Sequence, residues 1–141
     1  RMPEMEAAMG IVQLQKLPAF VEKRRKNAKF LTERLSEIER LQLPIEPRGC
    51  KHSWYLYTVR LRDSDKAERD EVVEKLRKRG VGATVYYQVP IHLMPYYRKF
   101  SERRLPETEK AARQVFSLPV HPGVTPKEIH HVADSVVRVV K

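Results

Sequence analysis

The stretch Trp54-Tyr55-Leu56-Tyr57-Thr58-Val59-Arg60-Leu61 decides the fold class, because aromatic and β-branched residues fill almost all of it. Alternation sets Trp54, Leu56 and Thr58 on one face and Tyr55, Tyr57, Val59 and Leu61 on the other. It is read as a strand with at least one buried face. Immediately downstream, Asp65 stands three residues before Glu68, a capping-box-like helix start. Val72, Val73 and Leu76 carry that helix to Gly80, which sits where a C′ glycine stops a helix. The pairs Glu71/Lys75 and Glu74/Lys78 are spaced i, i+4 with the acid first, the stabilising order. Residues 83–87 are then read as a second strand.

Further out, Pro90, Pro95 and the residues between them form a stiff loop carrying His92 and leading into Tyr96 and Tyr97, suited to presenting side chains. Pro106 opens a short helix with Glu107 and Glu109 in its first turn, where the helix dipole favours acids. Phe116-Ser117-Leu118 is a third short strand, ended by Pro119. Thr125-Pro126-Lys127-Glu128 is a complete helix cap, followed by Ile129, Val132, Ala133, Val136, Val137 and Val140 at helical spacing.

Upstream of the first strand, residues 44–49 hold two prolines and a glycine and read as loop. Before them, Met5, Ala8, Met9 and Val12 share one helical face. An apolar stripe then runs Leu17, Val21, Ala28, Leu31, Leu35, Ile38, with Arg24 at its edge, and predicts a helix packed along much of its length. Pro18 cannot donate its amide, so a kink or a fresh start is expected there. The order α–β–α–β–α–β–α predicts an α+β domain: a small three-stranded, mostly antiparallel sheet covered by helices, with a long N-terminal helix.

At 141 residues, 41% hydrophobic and 33% charged, the chain has the size and composition of one globular domain. The single cysteine, Cys50, excludes an internal disulfide and a thiolate-rich zinc site. No apolar stretch approaches the roughly 18 residues of a membrane span, and no secretory signal is read, so a cytoplasmic location is expected. Opening on Arg1 instead of methionine leads to the expectation of a domain trimmed from a longer polypeptide.

No catalytic constellation stands out. His130 and His131 are adjacent on a helix, so their side chains diverge by about 100° and do not suit one metal. His52 and His121 read as ordinary loop histidines, and no glycine-rich phosphate loop is present. The net charge of +10, with basic runs at residues 23–26, 75–79 and 98–104, raises a nucleic-acid-binding module as an alternative. Acids such as Glu22, Glu33, Glu37 and Glu71 interleave those cations, which favours solvated helix faces. A regulatory module binding a partner through the stripe over residues 17–38 is a third reading.

Four stretches carry a resemblance: residues 1–10, Gln13-Leu14-Gln15-Lys16-Leu17, residues 81–92 with their Tyr87-x-x-Pro90-x-His92 pattern, and Leu118-Pro119-Val120-His121-Pro122-Gly123, joined by the basic run around Arg24-Arg25. In that order and spacing the chain resembles the C-terminal small domain of the DegT/DnrJ/EryC1/StrS aminotransferases, over nearly its whole length. The resemblance implies a fold-type-I enzyme using pyridoxal 5′-phosphate to aminate keto groups on nucleotide-linked sugars, with glutamate as the common amino donor. It also implies a homodimer, and a large domain, absent from this chain, that supplies the Schiff-base lysine and the cofactor's other anchors. No catalytic residue and no metal ligand is then expected here.

Tyr87 and His92 match small-domain residues near the nucleotide-sugar pocket at the dimer interface, with Tyr86 beside them. Arg1 matches the arginine of the family's Asn-x-Arg-Met turn, which reaches the cofactor phosphate or substrate region of the neighbouring subunit. Dehydratases that share the fold family differ at the missing lysine and stay open as an alternative.

Overall fold

The structure, a computed structural model, describes residues 1–100 and 103–141. The expected basic run over residues 98–104 crosses Ser101 and Glu102, which lie outside the described residues. In chain order the elements are α1 (Glu4–Leu35), β1 (Leu41–Gln42), β2 (Tyr57–Leu61), α2 (Lys66–Lys78), a 3₁₀ turn (Ile91–Leu93), α3 (Pro95–Arg98), α4 (Pro106–Gln114), β3 (Val115–Leu118) and α5 (Pro126–Val140). The three strands form an antiparallel sheet in the order β1-β2-β3. The α+β class and the long N-terminal helix are as the sequence predicts.

The pleat sorts the sheet's side chains. Register pairs Tyr57 with Leu118 and Val59 with Phe116, and all four are buried, together with Leu61. Helices α1, α2 and α5 complete one continuous core through Leu31 and Leu35, Val72 and Leu76, and Val132 and Val136. On the opposite face of the sheet the hydroxyls of Thr58 and Ser117 meet at 2.8 Å. Burying the core side chains is the main source of stability, on the order of 2 kcal/mol for each large one.

The caps act as read. Asp65 accepts a hydrogen bond from the Glu68 amide at 2.8 Å. Thr125 and Glu128 make the reciprocal pair of a capping box, at 3.3 and 2.7 Å. Gly80 takes φ +79°, the left-handed conformation that lets the Gly80 and Val81 amides turn back onto the carbonyls of Arg77 and Leu76 and close α2.

Four expectations are corrected. Residues 83–87 do not form a strand; only Thr84 pairs, by one bridge to Ser117. Its place in the sheet is taken by the two-residue β1, which the sequence reading did not offer and whose Leu41 and Gln42 face Leu61 and Arg60. Trp54 does not begin β2. It takes φ +49°, off the pleat, with its ring packed between His52 and Tyr57 at centroid distances of 4.4 and 5.7 Å. And of the kink or fresh start expected at Pro18, the fresh start is excluded: α1 runs as one helix from Glu4 to Leu35 with the proline inside it.

The stripe on α1 is covered over only part of its length. Its 32 residues span about 48 Å, whereas the 15 residues of α5 reach about 22 Å. Ala28, Leu31 and Leu35 are buried, while Met5 is 79% and Leu14 66% exposed. The partner surface expected over residues 17–38 is therefore largely internal.

Candidate functional site

The segment between Ala83 and α4 is long because little in it can propagate regular structure. After the bridge at Thr84, Pro90 begins the 3₁₀ turn, closed by amide bonds from Leu93 to the Pro90 carbonyl (2.9 Å) and from Met94 to that of Ile91 (3.0 Å). Pro95 then sets N1 of α3. Two prolines thus fix a loop that leans on α4 and leaves most of its own side chains exposed, His92 excepted.

Between this loop and α4 lies a groove of about 1100 Å³. Tyr86, Tyr87 and His92 all line it, together with apolar side chains such as Val85, Ile91 and Tyr97. Tyr86 and Tyr87 are 58% and 67% exposed, so their hydroxyls are free to meet a ligand. Three of the four residues expected from the sequence are therefore brought together. Arg1, the fourth, is exposed ahead of α1 and is not part of the groove's lining.

His92 is more enclosed than the tyrosines. Its Nε2 lies 3.2 Å from Oε1 of Glu109 on α4. The same carboxylate oxygen accepts the Leu105 amide at the start of that helix, also at 3.2 Å. The hydrogen bond from His92, and after it the Leu105 amide, hold the Glu109 carboxyl below its ordinary value. The sequence had placed Glu109 only as a first-turn acid, since nothing in it links two residues of a loop and a helix.

The far wall is anchored from inside. Arg69 on α2 is fully buried, and its Nη1 donates to the carbonyls of Ala112 and Val115 at 3.0 and 2.7 Å, both groove-lining residues. Its Nε reaches Asp70 at 2.7 Å. An arginine in an apolar helix face looks like a surface cation from sequence; only the two carbonyls at the end of α4 explain its burial.

The groove's donor set does not make a pyridoxal phosphate site. No lysine, arginine or acid is among its lining residues, so this surface offers no amine for an aldehyde and no cation for a phosphate. The adjacent helix histidines have separate local partners: the His130 ring packs at a tilt against Phe30, centroids 4.4 Å apart, and Nε2 of His131 is 2.7 Å from the Arg79 carbonyl. No metal-binding cluster is found among the described residues. Some of the cations are held in ion pairs, including Arg25–Glu46, Arg34–Asp134, Arg40–Glu68 and Lys75–Glu71. No helix among the described residues is long and apolar enough to cross a membrane.

Comparison with known proteins gives one direction. The chain is 37% identical over 139 residues to a dTDP-4-dehydro-2,3,6-trideoxy-D-glucose 4-aminotransferase of Saccharopolyspora spinosa, covering 98% of this chain and 34% of that protein. It is 34% identical over 140 residues to a pleiotropic regulatory protein of Geobacillus stearothermophilus, covering 96% and 36%. In structure it superposes on DesV of S. venezuelae with a TM-score of 0.91 and 31% identity, covering all of this chain and 37% of that one. The chain thus spans about a third of the length of these relatives. The model of the DegT/DnrJ/EryC1/StrS aminotransferase family matches residues 1–137, and to that family the chain belongs.

Proposed function

We propose that the chain is the small C-terminal domain of a pyridoxal-phosphate-dependent aminotransferase that acts on a nucleotide-linked keto sugar. The observation that carries this is the groove, which gathers Tyr86, Tyr87 and His92 on one rim in a chain matched to the family from residue 1 to 137. The sugar-nucleotide name of the Saccharopolyspora relative supports the substrate class. The chemistry of the cofactor, an electron sink for amino-group exchange, belongs to the group itself. None of its steps is assigned to residues of this chain, whose groove lacks the groups to hold it.

What these residues do is bind and orient. The two exposed tyrosine hydroxyls offer hydrogen bonds to sugar hydroxyls or to a diphosphate, and the proline-fixed loop holds them at little entropic cost. Arg1 is assigned to the phosphate or substrate region of a neighbouring subunit, where a guanidinium is a fitting partner. The remaining partners are the chain's own large domain, a homodimer mate and glutamate as amino donor. By itself, the 141-residue chain is expected to be inactive.

The test uses the full-length polypeptide beside the isolated chain. A visible absorption band lost on borohydride treatment in the full-length protein alone, with amination of a dTDP-linked keto sugar by glutamate, is the expected result. Cofactor bound without a borohydride-sensitive band would favour the dehydratase relatives. No cofactor in either protein would overturn the reading, and binding to DNA that weakens steeply with salt would then favour the nucleic-acid alternative.

A further inference from the structure

Behind the groove's lining, in contact with His92, stands a group that neither its sequence pattern nor the family match assigns. Glu109 stands on α4, yet its Oε1 serves both walls, accepting the Leu105 amide on one side and facing Nε2 of the His92 loop on the other. His92 and Glu109 side chains are 11% and 21% exposed, so water competes weakly for this contact. An ionised carboxylate only accepts hydrogen bonds, so the proton in the contact must sit on Nε2. In neutral His92 that leaves Nδ1 as a lone pair, and Nδ1 has no hydrogen-bond partner among the described residues.

We propose that Glu109 is the positioning residue of this groove: it fixes the orientation and tautomer of His92, so that His92 presents an acceptor nitrogen to a hydroxyl or N–H of the ligand. This rests on the reading that the groove takes a nucleotide-linked sugar, and it narrows what His92 does there. The sequence suggests a donor to a diphosphate; the carboxylate partner uses that donor up. The phosphate-facing role then falls to other groups, and His92 reads the sugar or the base. A hydrogen-bonded carboxylate or carbonyl sets the tautomer of an imidazole in this way generally.

The test is run on the full-length enzyme with ¹⁵N-labelled histidine and two substitutions. Wild type is expected to show neutral His92 protonated on Nε2, and Glu109→Ala to show a mixture of tautomers. Glu109→Ala should raise KM for the nucleotide-linked sugar about tenfold, the loss of one well-placed hydrogen bond, while the half-reaction with the amino donor keeps its rate. Glu109→Gln, which still offers an oxygen to Nε2 and to Leu105, should recover most of that affinity.

Wild-type His92 protonated on Nδ1, or a tautomer unchanged in Glu109→Ala, would overturn the proposal. So would a sugar KM within twofold of wild type, or equal losses with sugar and amino donor, which mark a merely structural role. If the enzyme turned over no nucleotide-linked sugar at all, the functional reading would fall. The tautomer measurement would still decide the role of Glu109.

Discussion

Two long, proline-rich connections cross this small domain, and they are built in opposite ways. The first, between β1 and β2, is tied down at Glu46, His52 and Trp54, although Ile45 and Tyr55 stay exposed. Arg25 grips both carboxylate oxygens of Glu46 at 2.8 Å and also donates to the His52 carbonyl. The His52 amide returns to Glu46 at 2.9 Å, and Trp54 closes the loop against the core with 7% of its surface exposed. The second, between Ala83 and α4, has one bridge at its start and the His92–Glu109 contact, and it leaves Tyr86, Tyr87, Ile91 and Tyr96 in the open. A loop whose polar groups are mutually satisfied is scaffold. One whose aromatic side chains face outward on a stiffened backbone is a surface kept for something else.

The contrast can be broken by substitution. The largest effect is expected at Trp54→Ala, which removes a buried ring from the first loop and should cost about 3–5 kcal/mol of stability, measured by denaturant unfolding followed with circular dichroism. A loss under about 1 kcal/mol would show that the loop is not anchored through its tryptophan. Next comes Glu46→Ala, which frees Arg25 and the His52 amide together. A lower melting temperature is expected, smaller in effect than Trp54→Ala, with Trp54 emission shifted to longer wavelength as water reaches the ring.

Acid sharpens the comparison because both loops depend on a carboxylate. Glu46 is held below its ordinary value by the Arg25 hydrogen bond and then the His52 amide, and Glu109 by His92 and then Leu105. Glu128 is likewise lowered, by the Thr125 amide first and then its hydroxyl. Each carboxyl binds its proton less readily folded than unfolded. The stability it contributes is complete above the ordinary carboxylate value near 4.5 and is lost as pH falls through the lowered folded value. Unfolding curves from pH 7 to 3 should therefore show a steady fall on the acid side only. A flat profile there would show these contacts to be weak.

The smallest stability change belongs to Tyr87→Phe, within about 0.5 kcal/mol, because an exposed hydroxyl without a partner holds nothing in place. Its effect should appear only as weaker binding of the nucleotide-linked sugar to the full-length enzyme, measured by titration calorimetry. A clear loss of stability would make Tyr87 part of the scaffold.

How far the sequence reaches follows the same division. Local rules were readable wherever a few adjacent residues determine the outcome: the caps at Asp65 and Thr125, the stop at Gly80 and the apolar face of α5. The groove's exposed residues were readable too, because Tyr87, Pro90 and His92 form a recognisable local string. What could not be read depends on distant partners. A two-residue strand such as Leu41–Gln42 has no period to detect, and residues 83–87 have the composition of a strand but only one neighbour at Thr84 to pair with. Burial of Arg69 and the role of Glu109 depend on groups 43 and 17 residues away. The half of α1 that stands clear of this chain reads like the half that is packed, since both are amphipathic.

The central claim, that one loop is scaffold and the other the ligand face, is tested most directly by amide hydrogen exchange on the full-length enzyme, with and without a nucleotide-linked sugar. Slow exchange is expected over residues 46–54 in both states, with ligand-induced protection at residues 86–92 and at the start of α4. Protection appearing at residues 46–54, with residues 86–92 unchanged by the sugar, would contradict it.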